Sequence, residues 1–389
     1  MLHFSSTWNS SFWLKMSTSA EVIIGFVSLA LWMTIPVGMI QAADQDTPKS
    51  NDTSLSTPKS AKLPLKPEFV DHGVMSPDRA AFSKATVYIM NGLTDELEAM
   101  LIKDPNLATL TIDQIKSTLL HKAGMYDQAD SVRLILKYKA DATAMTGGYD
   151  PVTPLHVAAQ RDSVHAVEAL LEAGVDINIL AGGPRVGGVQ PILPVPVPRC
   201  SPLGLAAAAG SERVVEILLD RGAKLNVNPP ETSYSALHRA MEGWYNFIGY
   251  GNLKRIEIPA LKAARGNRMV IELLIEHGAR LDDLDYYGNT PFHIAVNRGA
   301  LETAEYLLEK HRDQIDVNSY GQFESPPLQL VIEGVRPLND DKAIAMIKLL
   351  LKAGADKSRL CGPYRTPATA YTNAKENHWS EATLELLRP

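Results

Sequence analysis

Four stretches of the chain read alike: TPLHVAAQ (Thr153–Gln160), SPLGLAAA (Ser201–Ala208), SALHRAM (Ser235–Met241) and TPFHIAV (Thr290–Val296). Each places a hydroxyl residue ahead of a short apolar run, and in three of them proline comes next. A Ser or Thr hydroxyl caps the free amides at a helix start, and proline fits the first helical position, so each stretch predicts a helix N-terminus. The Leu and paired Ala that follow allow close packing on a neighbour. Working outward, each stretch leads to a second apolar segment: AVEALLEAGVDIN from Ala166, VVEILLDRGAKLN from Val214, VIELLIEHGARLD from Val270 and TAEYLLEKH from Thr303. Val167, Leu170 and Leu171, like Val215, Leu218 and Leu219, recur at i, i+3 and i+4, which predicts one buried stripe on a helix. Gly174, Gly222, Gly278 and Gly354 fall where a helix ends on a left-handed residue. The chain then leaves through Asp/Asn-rich turns such as those at Asn226 and Asp285-Tyr286-Tyr287-Gly288.

Weaker copies begin at Thr118 (TLLHKAG) and Pro326 (PPLQLVI), and half-formed ones lie near Gly92-Leu93 and from Thr366. Thr118 to Thr153 spans 35 residues and Ser201 to Ser235 spans 34, whereas Thr153–Ser201 and Ser235–Thr290 span 48 and 55 and so contain insertions. The pattern resembles the ankyrin repeat, a unit of about 33 residues with a TPLH-x-A signature. The resemblance covers about residues 80–389. It implies an all-α ankyrin-repeat solenoid: stacked helix-turn-helix units with β-hairpin-like turns, seven to eight repeats in number. It further implies a preformed concave surface of turn tips and first helices that grips a protein partner.

Thr153, Pro154, Leu155, His156, His238, Thr290, Pro291 and His293 are the motif positions that carry this reading. His121 takes the same place in an earlier repeat, and Gly204 and Gln329 replace it elsewhere. One histidine per repeat invites a zinc or acid–base reading. Successive copies nevertheless sit roughly 10 Å apart by helix packing distances, too far for shared ligation. The resemblance makes this histidine structural, its ring bonding backbone groups between adjacent turns. Cys200 and Cys361 lie four repeats apart and are expected as unpaired thiols, because a disulfide needs α-carbons within about 7 Å. No G-x-S-x-G, P-loop, H-E-x-x-H or C-x-x-C pattern occurs. The expectation is therefore a protein that is not an enzyme, with no catalytic residue, metal or cofactor. A formal net charge of -6 argues against broad attraction to nucleic acid or an anionic membrane surface.

Ahead of the repeats, Val22 to Ile40 runs 19 residues without a charge and is followed by Gln41-Ala42-Ala43. This reads as a cleaved signal peptide or an uncleaved N-terminal membrane anchor over residues 1–43. Lys15 on its N-terminal side sends the repeats out of the cytoplasm in both cases, to the periplasm or the exterior. Residues 44–79 form a Pro/Ser/Thr/Lys-rich linker in which TPKS occurs twice, with too few apolar residues to offset ordering.

The departures from the repeat are the candidate partner sites. An insertion at 179–199 carries Pro194, Pro196 and Pro198, which force an extended path; it either folds back on the stack or projects as a binding arm. A second, at 243–266, crowds Trp244, Tyr245, Phe247 and Tyr250, either as interface anchors or as a small core of their own. Tyr149, Tyr234, Tyr286, Tyr287, Tyr320 and Tyr364 lie in the turns, a row that the resemblance would place along the binding surface. Three functions compete: an exported protein-binding scaffold, a translocated effector that binds host proteins, and an enzyme with an unrecognised site in the insertions.

Overall fold

The computed structural model describes residues 76–112, 116–147, 151–181, 199–227, 234–242, 268–321, 324–333, 340–361 and 367–389. The N-terminal apolar segment, nearly all of the linker, most of the first insertion and the second insertion lie outside the described residues. So do Tyr149, Trp244, Tyr245, Phe247, Tyr250 and Tyr364. Among the described residues no helix is long and apolar enough to cross a membrane.

The described residues form eight helix pairs. They are α1 (Pro77–Met90) with α2 (Thr94–Lys103), α3 (Leu119–Met125) with α4 (Ala129–Lys137), α5 (Pro154–Gln160) with α6 (Val164–Glu172), and α7 (Pro202–Ala209) with α8 (Glu212–Asp220). The remainder are α9 (Ala236–Glu242) with α10 (Arg268–Glu276), α11 (Pro291–Asn297) with α12 (Leu301–Lys310), α13 (Pro327–Glu333) with α14 (Asp340–Lys352), and α15 (Ala370–Glu376) with α16 (Glu381–Leu387). The first helix starts at Pro77, capped by the Ser76 hydroxyl, so the linker ends a few residues before the expected boundary at 79. The second insertion falls between α9 and α10, the two helices of one repeat, as the spacing predicts.

Most first helices have only seven or eight residues, too short to persist alone. Packing holds them. The odd-numbered helices contact one another in sequence from α1 to α15 and form one layer. The even-numbered helices, each against its own partner, form a second. Leu97, Leu119, Ile135, Leu155, Leu170, Leu203, Leu218, Leu237, Val270, Phe292, Leu328 and Met346 belong to a single apolar core running between the layers. Gly174, Gly222, Gly278 and Gly354 close second helices with φ of 85°, 81°, 92° and 91°, the left-handed cap that the sequence requires.

A second left-handed position, between the helices of a pair, was not expected. It holds Asp127 (φ 55°) and Asp162 (φ 56°), and glycine at Gly92, Gly210 and Gly299. The aspartates use the conformation. Asp127 Oδ1 accepts the Ala166 amide at 3.0 Å and its Oδ2 meets His165 Nδ1 at 2.8 Å. Asp162 Oδ1 accepts the Val214 amide at 3.0 Å while Oδ2 accepts Arg213 Nε at 2.9 Å. Each carboxylate thus caps the second helix of the following repeat, which ties neighbours together. Asp127→Ala removes the cap and leaves a β-carbon residue at positive φ; we expect a loss of about 1–2 kcal/mol in urea unfolding. Asp127→Gly should lose less, because the strain goes with the cap.

Candidate functional site

The motif histidines are the best-defined constellation, and they are structural. His121, His156, His238 and His293 are fully buried. In each ring Nε2 donates to a carbonyl of the following turn: Val152 at 3.0 Å, Cys200 at 2.9 Å, Asn289 at 3.2 Å and Ser319 at 3.0 Å. Nδ1 therefore carries no proton and is an acceptor. It takes the hydroxyls of Thr118, Thr153, Ser235 and Thr290 at 2.7–2.8 Å. At Thr118, Ser235 and Thr290 it also takes the cap residue's own amide. Burial pushes the pKa of His121, His156 and His238 down to about 4 and that of His293 down as well, so all four are neutral at pH 7. A neutral imidazole with both nitrogens used is a staple between repeats. It offers no base to a substrate.

Two of the inner repeats replace the staple. Gly204 stands against Cys200 Sγ, Ser201 Oγ and the Arg239 stem, so these groups fill the space an imidazole would take. In α13, Gln329 donates to Glu333 at 2.9 Å, and Glu333 also accepts Ser325 at 3.1 Å and Asn373 at 3.3 Å. Cys200 and Cys361 are both buried. Among the described residues no group of three or more His, Cys, Asp or Glu side chains could hold a metal ion.

The turns between repeats project as fingers. Finger 5 (residues 277–290) has its tip at Asp285–Asn289: the Asp285 amide donates to Asn289 O at 2.8 Å, the Gly288 amide donates to Asp285 O at 3.0 Å, and Gly288 has φ 80°. This is a tight hairpin ending in a left-handed bulge residue. The buried Asp285 carboxylate locks it by accepting the amides of Tyr287 at 2.8 Å and Asn289 at 2.7 Å, and the Asn289 side chain at 3.2 Å. Finger 6 (residues 311–326) repeats the geometry, with Gly321 donating to Ser325 O and Glu324, at φ 52°, donating to Gly321 O. Asn318 links finger 6 to the described part of the next turn, finger 7 (residues 353–361 and 367–369), donating to Gly354 O at 3.0 Å and accepting the Asp356 amide at 2.8 Å.

These locked fingers hold apolar side chains in solvent. Tyr286 and Tyr287 are 43% and 46% exposed at the hairpin tip, with rings 5.3 Å apart edge to face. Tyr320 on finger 6 is 47% exposed and carries the Arg359 guanidinium of finger 7 at 4.8 Å from its ring. Leu284 and Leu360 are also exposed on these turns. Three of the expected turn tyrosines, Tyr286, Tyr287 and Tyr320, are thus exposed on consecutive turns. Tyr234 is not among them: its ring packs on His238 at 5.4 Å and under Arg239, partly buried.

The outer helices differ in character. Glu98–Lys137, Glu172–Arg133, Glu168–Arg221 and Asp220–His277 pair across successive repeats. Such exposed pairs are screened by solvent and contribute little to stability, but they leave that face polar and self-complementary. The first two of these pairs join residues 39 apart, about one repeat, so the ladder follows the repeat spacing.

Comparison with known proteins agrees with this geometry. Ankyrin repeat models match residues 86–181, 249–320 and 199–228. The chain is 32% identical over 150 residues to bovine cyclin-dependent kinase 4 inhibitor B, covering 39% of this chain and 86% of that protein. It is 28% identical over 240 residues to human ankyrin repeat and SOCS box protein 16, covering 62% of this chain and 46% of the relative. The chain thus spans less than half of that longer relative. A crystal structure of the human ASB11 ankyrin repeat domain superposes with a TM-score of 0.49 at 20% identity, covering 70% of this chain and 96% of that one. Stapled helix pairs and matching repeat models together define a protein-interaction solenoid. The chain belongs to the ankyrin repeat family.

Proposed function

We propose that the chain is a non-catalytic scaffold that binds a protein partner through fingers 5–7, and that it does so outside the cytoplasm. The observation that carries the binding reading is the exposure of Tyr286, Tyr287 and Tyr320 on hydrogen-bonded, preformed fingers. Large aromatics held in water on a preformed turn are the usual anchors of an interface, and they bind with little ordering cost. One relative is, by its name, an inhibitor of a cyclin-dependent kinase, which is a protein target. Export rests on the uncharged run Val22 to Ile40, and the insertions at 179–199 and 243–266 are assigned to partner selectivity.

The test is affinity capture with the full chain and with the Tyr286→Ala/Tyr287→Ala/Tyr320→Ala variant. The variant should unfold at the same urea concentration within error and retain at least tenfold less of each specific partner. Equal retention would remove the fingers from recognition. N-terminal sequencing of the mature protein checks export: a start at Ala43 or Asp44 supports it, and an intact N-terminus in the cytosolic fraction refutes it.

A further inference from the structure

We infer that the last helix pair, α15 with α16, opens from the stack as one unit while the other seven pairs stay folded, and that the Glu333 carboxylate holds it closed. In a linear array each pair is held only by its neighbours, so an end pair depends on one interface. The first support is burial. At the opposite end, α1 and α2 bury Phe82, Ala85, Ile89, Leu97 and Leu101. The buried residues of α15 and α16 are Ala370, Ala374, Thr383 and Leu387, three of them small. Each of these two helices has seven residues, too few to persist once undocked, so the pair leaves and loses its helices together.

The second support is the staple. Where the other joints have a hydroxyl residue and a histidine three positions on, this one has Pro326 and Gln329. Gln329 Nε2 does not reach into the next turn but donates back along its own helix to Glu333 Oε1 at 2.9 Å. The link across the joint falls to that carboxylate. Its Oε1 accepts Asn373 Nδ2 of α15 at 3.3 Å, and its Oε2 accepts the Ser325 hydroxyl of finger 6 at 3.1 Å. The imidazole staples reach a backbone carbonyl at 2.9–3.2 Å. The Glu333–Asn373 contact is longer than the usual N–H···O bond and ends on a side chain. The Lys357 ammonium also donates to Arg388 O at 2.9 Å, an exposed contact for which water competes.

The third support is polar frustration. Gln329 Oε1, at the staple position of this joint, and Trp379 Nε1, in the turn between α15 and α16, are buried without a hydrogen-bond partner. A buried acceptor or donor left unpaired carries its full desolvation cost. Opening the pair returns both to water, so each favours the open form. The Ser117 and Ser131 hydroxyls are likewise unpaired, but they lie beside the first repeat, which its large buried side chains hold. The seats of Tyr286, Tyr287 and Tyr320 are on fingers 5 and 6, ahead of this joint, so the opening does not depend on where the partner binds.

Native-state hydrogen exchange of the full chain, read by mass spectrometry at low urea concentrations, tests this. Protection factors in α15 and α16 should lie at least about a hundredfold below those in α11 and α12, and both helices of the last pair should lose protection along one urea dependence. Glu333→Ala should lower protection in α15 and α16 at least about fivefold and leave α3–α6 unchanged. Pro326→Thr/Gln329→His rewrites the stretch as the TPLH of the stapled repeats, with the Ala368 carbonyl, one residue ahead of the Thr369 cap, as acceptor by register. It should raise protection in α15 and α16 at least about tenfold. Equal protection of the two regions, a graded loss running back from Leu387, a loss spread evenly over the stack in Glu333→Ala, or no gain on restoring the staple would each overturn the inference.

Discussion

On lowering the pH from 7 to 4, the stack loses its far-ultraviolet helical signal in a transition centred well above the ordinary carboxylate range. The cause is the histidine staple. In the unfolded chain each imidazole takes a proton near pH 6.5, whereas in the folded stack burial holds His121, His156 and His238 neutral down to about 4. A folded pKa depressed in this way gives stability that is complete above pH 6.5, declines as pH falls through that window, and declines no further below about 4. At about 1.4 kcal/mol per pH unit, each ring accounts for about 3 kcal/mol. Three of them approach the whole stability of a typical domain, about 5–15 kcal/mol. His293 adds a loss of the same sign.

Other groups do not reverse this. Asp127 beside His165 raises that ring's pKa, which favours the fold below pH 6.5 and loses its effect as pH rises, but the pair is exposed and screened. Hydrogen bonds from Arg268, Arg280 and Ser358 lower the carboxyls of Glu272, Asp282 and Asp356, so those groups cost stability only at lower pH. A variant with glutamine at 121, 156 and 238 should be less stable at pH 7 and should show a much flatter pH profile from 7 to 4. A wild-type profile equally flat would contradict the neutral staple.

Gly321→Ala should cost about 2–4 kcal/mol, a large effect for one methyl group. Gly321 does not have a left-handed φ, so the cost is steric. A β-carbon there would lie 2.6 Å from His293 Cδ2 and 2.7 Å from Asn289 Oδ1. Neither neighbour yields easily. His293 is held by Ser319 O at 3.0 Å and the Thr290 amide at 3.2 Å, and Asn289 by the Asp285 carboxylate. In a His293→Ala background the same substitution should cost at least about 1 kcal/mol less, a coupling that a double-mutant cycle reads. Gly174→Ala is the contrast: nothing lies within 4 Å of its β-carbon, so only the left-handed backbone resists. Urea unfolding of the three variants separates the two causes, and a Gly321→Ala change below about 0.5 kcal/mol would refute the clash.

Sequence made the stack legible because the repeat is written in local chemistry. A hydroxyl, a proline, a small-residue helix and a terminating glycine each act within a few residues, and the chain states them several times. The staple was legible only through the resemblance to the ankyrin repeat: its Thr153–His156 half is local, but the Cys200 carbonyl that completes it lies 44 residues on. What connects one repeat to the next was less visible. Asp127 and Ala166 stand 39 residues apart, and an aspartate between helices reads as an ordinary turn. The tyrosine row was half legible. Tyr286, Tyr287 and Tyr320 are tip residues by position, but nothing near Tyr234 says that its ring turns inward against His238.

The proposed seat of the partner is the fingers and not the ion-paired outer helices. Site-specific photo-crosslinking in the native cell tests it, with benzoylphenylalanine placed singly at Tyr286 or Tyr320 and, on the outer helices, at Glu172 or Glu216. A discrete crosslinked partner is expected from both finger positions and none from the outer helices. Adducts confined to Glu172 or Glu216 would contradict it.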